Sequence, residues 1–213
     1  MRFLLLSAQV EPILLSSRDG VRFHRWPDAI IDEDAPNDRK GNRSNYMTWG
    51  MLRLPGKPGE ISVYATENYC ENTPGRVGRF VYRVDGFVAL RGGPGGGEVL
   101  TMPLRFTGRE LLVNYAVRKG GSLAVEVLSE SGKVEGRSKS FTGDGIDQTI
   151  AWKTKPDLRQ GVVQLNFKIK KADVFSIRFQ SKRPIQQGGL IDPTLSVHFF
   201  SRMARTRLVS SRS

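Results

Sequence analysis

Between Gly97 and Phe179 the chain repeats one pattern four times: short runs in which every second residue is apolar, separated by residues that form turns. Leu111, Val113, Tyr115 and Val117 alternate with polar or small neighbours, and Leu123, Val125 and Val127 resume the alternation after Gly120-Gly121. Val163, Leu165, Phe167 and Ile169 form the third run, and Phe175, Ile177 and Phe179 the fourth, with Lys168, Lys170 and Arg178 on the opposite parity. A period of two places successive side chains on opposite faces of a strand, so each run predicts a strand with one buried and one wet face. Ser131-Gly132-Lys133, Gly143-Asp144-Gly145 and Lys155-Pro156-Asp157 separate runs with residues suited to positive or fixed φ. The expected fold is all-β, a jelly-roll-like antiparallel β-sandwich.

The remaining segments extend the β reading. Ile13 to Phe23 reads as strand, Asp19-Gly20 turn, strand, and Asp-Gly is a preferred pair for a two-residue hairpin loop. A lone hairpin cannot bury its own face, so this one is expected either to join the sandwich or to be the remnant of something larger that the chain enters midway. Residues 27 to 45 lack periodicity and read as an irregular loop. Tyr46 to Leu54 and Glu60 to Thr66 read as strands joined by Pro55-Gly56-Lys57-Pro58-Gly59, and Gly78 to Val84 as a further strand that turns at Asp85-Gly86 into Phe87 to Leu90. The cluster Gly92-Gly93-Pro94-Gly95-Gly96-Gly97 lacks the Lys-Ser/Thr and the following helix of a phosphate-binding loop, and reads as a connection between strands. No helix signal precedes the tail.

Composition narrows the functional classes. Of the 213 residues 38% are hydrophobic, enough for a sizeable core. No run approaches the ~18 apolar residues of a membrane helix, and Met1 to Leu6 is shorter than the apolar stretch of ~7 to 15 residues in an export signal. Cys70 is the sole cysteine, which leaves no internal disulfide and no cysteine zinc site, and it reads as a half-buried small residue. The net charge of +12 raises the question of nucleic acid, but charges roughly balance before Gly50 and an excess lies in residues 182 to 213, where Asp192 is the only acid. Without zinc-finger spacing, RNA-binding strand signatures or basic-region heptads, nucleic acid is not the expected partner.

Candidate chemistry is sparse. Asp32, Glu33 and Asp34 read as a solvated acidic stretch, and Glu60 and Glu67 as carboxylates bordering a strand. Asp19 is expected to accept backbone N–H bonds in its turn. His24 and His198 have no acidic or cysteine neighbours at ligand spacing, so neither metal nor cofactor is expected. Sugar faces stack on aromatic rings while their hydroxyls seek planar polar groups. Trp26, Tyr46, Trp49, Tyr64 and Tyr69 lie in the first half of the chain, and the candidate carbohydrate contacts are Arg43, Asn45, Tyr46, Trp49, Glu60 and Tyr69. Core packing accounts for such aromatics equally well.

These residues also carry a resemblance. Leu15 to Trp26, with Ser17-Arg18-Asp19-Gly20-Val21-Arg22-Phe23, resembles the Ser-x-Asp-Gly-x-x-Phe strand pair in blades of glycosidase β-propellers, including sialidase-like and invertase-like proteins. Arg43 to Tyr69 resembles a last blade. Arg79 to Phe87, through to Ala172-Asp173-Val174-Phe175-Ser176-Ile177-Arg178-Phe179, is similar to the C-terminal β-sandwich of planctomycete-type secreted proteins related to glycoside hydrolase family 32.

The resemblance implies a partial blade with an irregular loop over residues 1–75 and a sandwich over 76–180; beyond it the alternation stops, and residues 181–213 are expected to form a basic, disordered tail. It also implies a secreted, extracellular or periplasmic parent whose catalytic carboxylates lie in earlier blades, leaving none to carry over. The expectation is a non-catalytic accessory β-sandwich that stabilises the parent's upstream propeller and binds carbohydrate weakly, away from membranes. Two alternatives stay open: an independent module, lectin-like or binding nucleic acid through the Arg-rich tail, and part of an active glycosidase.

Overall fold

A computed structural model describes residues 11–17, 19–31, 45–67, 75–158 and 160–180, with the short segments 196–198 and 204–205. The described residues contain no helix; the protein is all-β and sandwich-like, built from antiparallel strands. The chain divides into two compact units, Met1–Phe87 and Val88–Ser213.

In the first unit, β1 (Ile13–Ser17) and β2 (Phe23–Ala29) pair as a sheet of their own. Strand pairing stops at Ser17 and resumes at Phe23, so Asp19-Gly20 sits inside a longer connection rather than a two-residue loop. Asp19 Oδ1 organises that connection by accepting the Val21 N–H at 2.9 Å and the Arg22 N–H at 2.8 Å, while Ser17 Oγ accepts the Gly20 N–H at 2.9 Å. The three-stranded sheet is formed by β3 (Tyr46–Met47), β4 (Glu60–Glu67) and β5 (Arg76–Arg83). Val63 and Ala65 of β4 are fully buried, and Ile31, Ile30, Met47, Phe80 and Tyr82 complete a small apolar cluster around them. The Tyr82 hydroxyl donates to the Ile30 carbonyl, tying the end of the hairpin segment to this sheet.

The second unit holds β6 (Leu90–Gly92), β7 (Gly97–Thr101), β8 (Leu104–Thr107), β9 (Glu110–Ser129), β10 (Val134–Ser138), β11 (Asp144–Thr149), β12 (Trp152–Thr154), β13 (Gln160–Gln180), β14 (Ser196–His198) and β15 (Ala204–Arg205). The four sequence runs are halves of two strands. β9 spans 20 residues and β13 spans 21, and the two pair from Val163↔Ser129 to Gln180↔Glu110. One edge of β13 is lined in turn by β8, β7, β6 and β14, and the free edge of β9 by β11 on its first half and β10 on its second. β12 borders β10, and β15 borders β7.

A single corner crosses these strands. Gly120 has φ of +70° in β9, Lys171 has φ of +43° in β13, and Gly96 has φ of +75° between β6 and β7. Left-handed backbone bends each strand at the same level; the register shifts between Lys170 and Ala172, where the extra residues lie in β9 between Val117 and Ser122, and again between Val174 and Ser176, where β13 bulges. The bend brings the inward residues of both halves into one core: Leu111, Val113 and Tyr115 with Leu123, Val125, Val127, Leu165 and Phe167. Tyr115 and Phe141 meet edge to face with ring centroids 4.9 Å apart.

The bulges alter the expected parity. In β9 the odd positions face inward on both sides of Gly120-Gly121, although across the bend β9 holds three more residues than β13 between paired positions. In β13 the inward set passes from Val163, Leu165, Phe167 and Ile169 to Ala172 and Val174, then to Ile177 and Phe179. Phe175 is the extra residue of the β13 bulge and is only partly buried, not an inward partner of Ile177.

Candidate functional site

Of the expected carbohydrate contacts, Arg43 and Tyr69 lie outside the described residues. Asp32, Glu33, Asp34 and Cys70 lie outside them as well. Asn45 is buried. Tyr46 is exposed beside β4, opposite Thr66. Glu60 sits on the same sheet face at the other end of β4, six positions from Thr66, or ~20 Å at the ~3.3 Å rise of a strand. The structure therefore separates Tyr46 from Glu60, with Trp49 between them along the paired segment.

Trp49 is the exposed feature of this face. The Thr48 N–H donates to the Tyr64 carbonyl at 2.8 Å, and Leu52 exchanges two 2.8 Å bonds with Ser62. Trp49, Gly50 and Met51 thus face Val63 alone and bulge away from the sheet. Gly50 takes φ of +100°, a conformation that side-chain-bearing residues rarely adopt. The consequence is an indole with 104% relative exposure.

Polar groups mark the far end of the face. Arg79 Nε donates to Ser62 Oγ at 3.0 Å and its Nη2 lies 3.5 Å from Glu60 Oε2, while Lys57 Nζ approaches Glu60 Oε1 at 3.7 Å. Trp26 is engaged elsewhere: its Nε1 donates to Ser16 Oγ at 3.1 Å, and its ring meets His24 edge to face. Asp19, held by the backbone N–H groups of Arg22 and Val21, keeps its carboxyl below the ordinary value of 3.8.

In the second unit the charged groups form two networks on the outer face. Glu126 on β9 accepts from Arg137 Nε at 3.0 Å and Asn166 Nδ2 at 3.3 Å, and Lys168 Nζ lies 3.2 Å away. Burial pushes the Glu126 carboxyl up, but the bonds from Arg137, Lys168 and Asn166 and the Lys168 charge outweigh it and hold it below 4.5. The second network is at the corner. Asp173, its side chain 6% exposed, takes Arg91 Nε at 2.9 Å and Arg91 Nη2 at 3.2 Å, and also accepts from Arg118 Nη2. Hydrogen bonding to Asp173, then its charge, raises Arg91 above its ordinary value.

Sequence reasoning missed this trio. Arg91 and Arg118 lie 82 and 55 residues from Asp173, and only the pairing of β6, β13 and β9 unites them. The available signal was an aspartate among the apolar residues of a strand, Ala172-Asp173-Val174. Among the described residues no group of three or more His, Cys, Asp or Glu side chains is placed to hold a metal ion. Comparison of the chain with protein-family models, curated proteins and solved structures finds no match.

Proposed function

We propose that this chain is a non-catalytic accessory module of a glycosidase-like protein, stabilising the parent's propeller and contacting carbohydrate weakly through Trp49. The reading is carried by the bulge that projects Trp49. A tryptophan wholly in water forgoes the burial that ordinarily holds it, and here a glycine conformation sustains that exposure. An exposed indole offers a flat apolar face for the C–H face of a pyranose ring. Tyr46, on the same strand segment, offers a second ring, and the Glu60–Arg79 pair offers an acceptor and donors for hydroxyls. Glu60 is engaged by two cations, an arrangement suited to binding more than to the paired acid and nucleophile of glycoside hydrolysis.

The test is titration of the purified chain with the neutral polymers fructan and arabinan, alongside product analysis. Weak, salt-insensitive binding that disappears in Trp49→Ala, with no hydrolysis, is expected. Turnover of any of these polymers, or binding unchanged in Trp49→Ala, would overturn the proposal.

A further inference from the structure

We propose that the corner of the second unit is a binding surface for an acidic polysaccharide, one bearing closely spaced sulfate or carboxylate groups. It is separate from the Trp49 face and independent of the reading given to that indole.

The argument begins with Asp173. Burying a carboxylate is costly unless it is paired, and one arginine suffices for neutrality. Arg91 already meets it with two nitrogens, as a fork. Arg118 is therefore a surplus cation, and the two guanidiniums are held side by side on one carboxylate while remaining 69% and 48% exposed. Among the described residues Arg91 Nη1 and Arg118 Nε and Nη1 have no partner, so their outward edges can receive an oxyanion.

The backbone adds to the same spot. Lys119 follows Arg118 in β9, Lys170 and Lys171 lie three and two residues before Asp173 in β13, and none of the three has an ion pair among the described residues. Arg91 and Arg118 meet Asp173 directly, and the three lysines add their charge at the same bend. Neighbouring strands are ~4.8 Å apart, so these charges are spaced for a densely charged chain. Further along the outer face the charges balance instead, with Glu98 and Glu126 meeting Lys168 and Arg137.

Glycines decide the class of polymer. The turn Gly93–Gly96 and Gly120-Gly121 border the cations, and the Lys171 N–H is bonded to the Gly93 carbonyl at 3.1 Å. Apart from the partly buried Phe175, the corner's described residues supply no ring on which a base could stack, and single-stranded nucleic acid stacks on several in succession. What remains reads charge along a flexible acidic chain.

The experiment uses the full chain and fluorescently labelled heparin, polygalacturonate, neutral dextran, and duplex and single-stranded DNA matched in length. Heparin and polygalacturonate should bind with affinity that falls as salt rises, dextran should not, and DNA should bind more weakly. Lys119→Gln combined with Lys170→Gln should weaken binding of the acidic glycans on the order of tenfold and flatten the salt dependence. Arg118→Gln, which leaves Arg91 on Asp173, should also weaken it, and Trp49→Ala should not. The proposal is overturned if DNA binds as tightly as the acidic glycans, if neither glycan binds, or if folded corner variants retain full affinity, which would assign the binding to residues 182–213.

Discussion

Gly121→Ala tests the corner most directly. A Cβ added at Gly121 would lie 2.6 Å from the carbonyl oxygens of both Lys170 and Lys171 and 2.9 Å from that of Arg118. All three obstacles are backbone atoms of paired strands, so none can rotate away. Overpacking a well-packed site costs ~1–3 kcal/mol, and the rigidity of these neighbours puts Gly121→Ala near the upper end, about 3 kcal/mol. Gly93→Ala is the control. It lies in the same corner, has nothing within 4 Å of the new methyl group, and is not at positive φ. Loss of unfolded-state entropy should leave that variant unchanged or more stable by up to ~1 kcal/mol. Urea unfolding followed by tryptophan fluorescence and far-UV circular dichroism gives both values. A thermal midpoint ~10 °C lower should accompany Gly121→Ala. Equal stability of the two variants, within ~0.5 kcal/mol, would refute the close strand contact on which the corner depends.

Three further outcomes follow from the charged groups. The Glu126 carboxyl is depressed in the folded state, so it contributes stability above its unfolded value that is lost as pH falls below 4.5; Glu126→Gln should make acid unfolding over that range shallower. Asp173→Asn should destabilise by about 2 kcal/mol, less than a fully buried pair because both arginines can rehydrate, whereas Arg118→Gln should cost under ~1 kcal/mol; equal losses in urea unfolding would show that Arg91 alone does not satisfy the carboxylate. Asp19 should titrate below 3.8 by NMR, and the amide signals of Val21 and Arg22 should shift with the same midpoint as their acceptor is protonated.

Much of the fold is legible in the alternating residues, because alternation reports which face of a strand is buried. Continuity was not: the odd parity of Leu111 to Val117 persists in Leu123 to Val127, but Gly120-Gly121 read as a break between two strands and is a bend within one. The register shifts at Lys171 and Phe175 were not legible either. Lys171 is a lysine at positive φ with no register partner in β9, and no local propensity marks it or makes Phe175 the extra residue. For the candidate site, Tyr46 and Trp49 could be picked out as aromatics, but the bulge that frees Trp49 depends on how Thr48 and Leu52 pair with β4. Grouping Glu60 with Tyr46 left out the length of β4, which holds them at opposite ends.

Because β9 and β13 run uninterrupted through the corner, each belongs to both layers of the sandwich. Most sandwiches join their layers by loops, which allows one layer to fray while the other persists. Here no cut in a loop separates the layers, and loss of pairing on one side withdraws the same two strands from the other. The slowest-exchanging amides of Leu111 to Tyr115 and of Leu123 to Val127 should therefore share one opening event, and the second unit should melt as a single cooperative block.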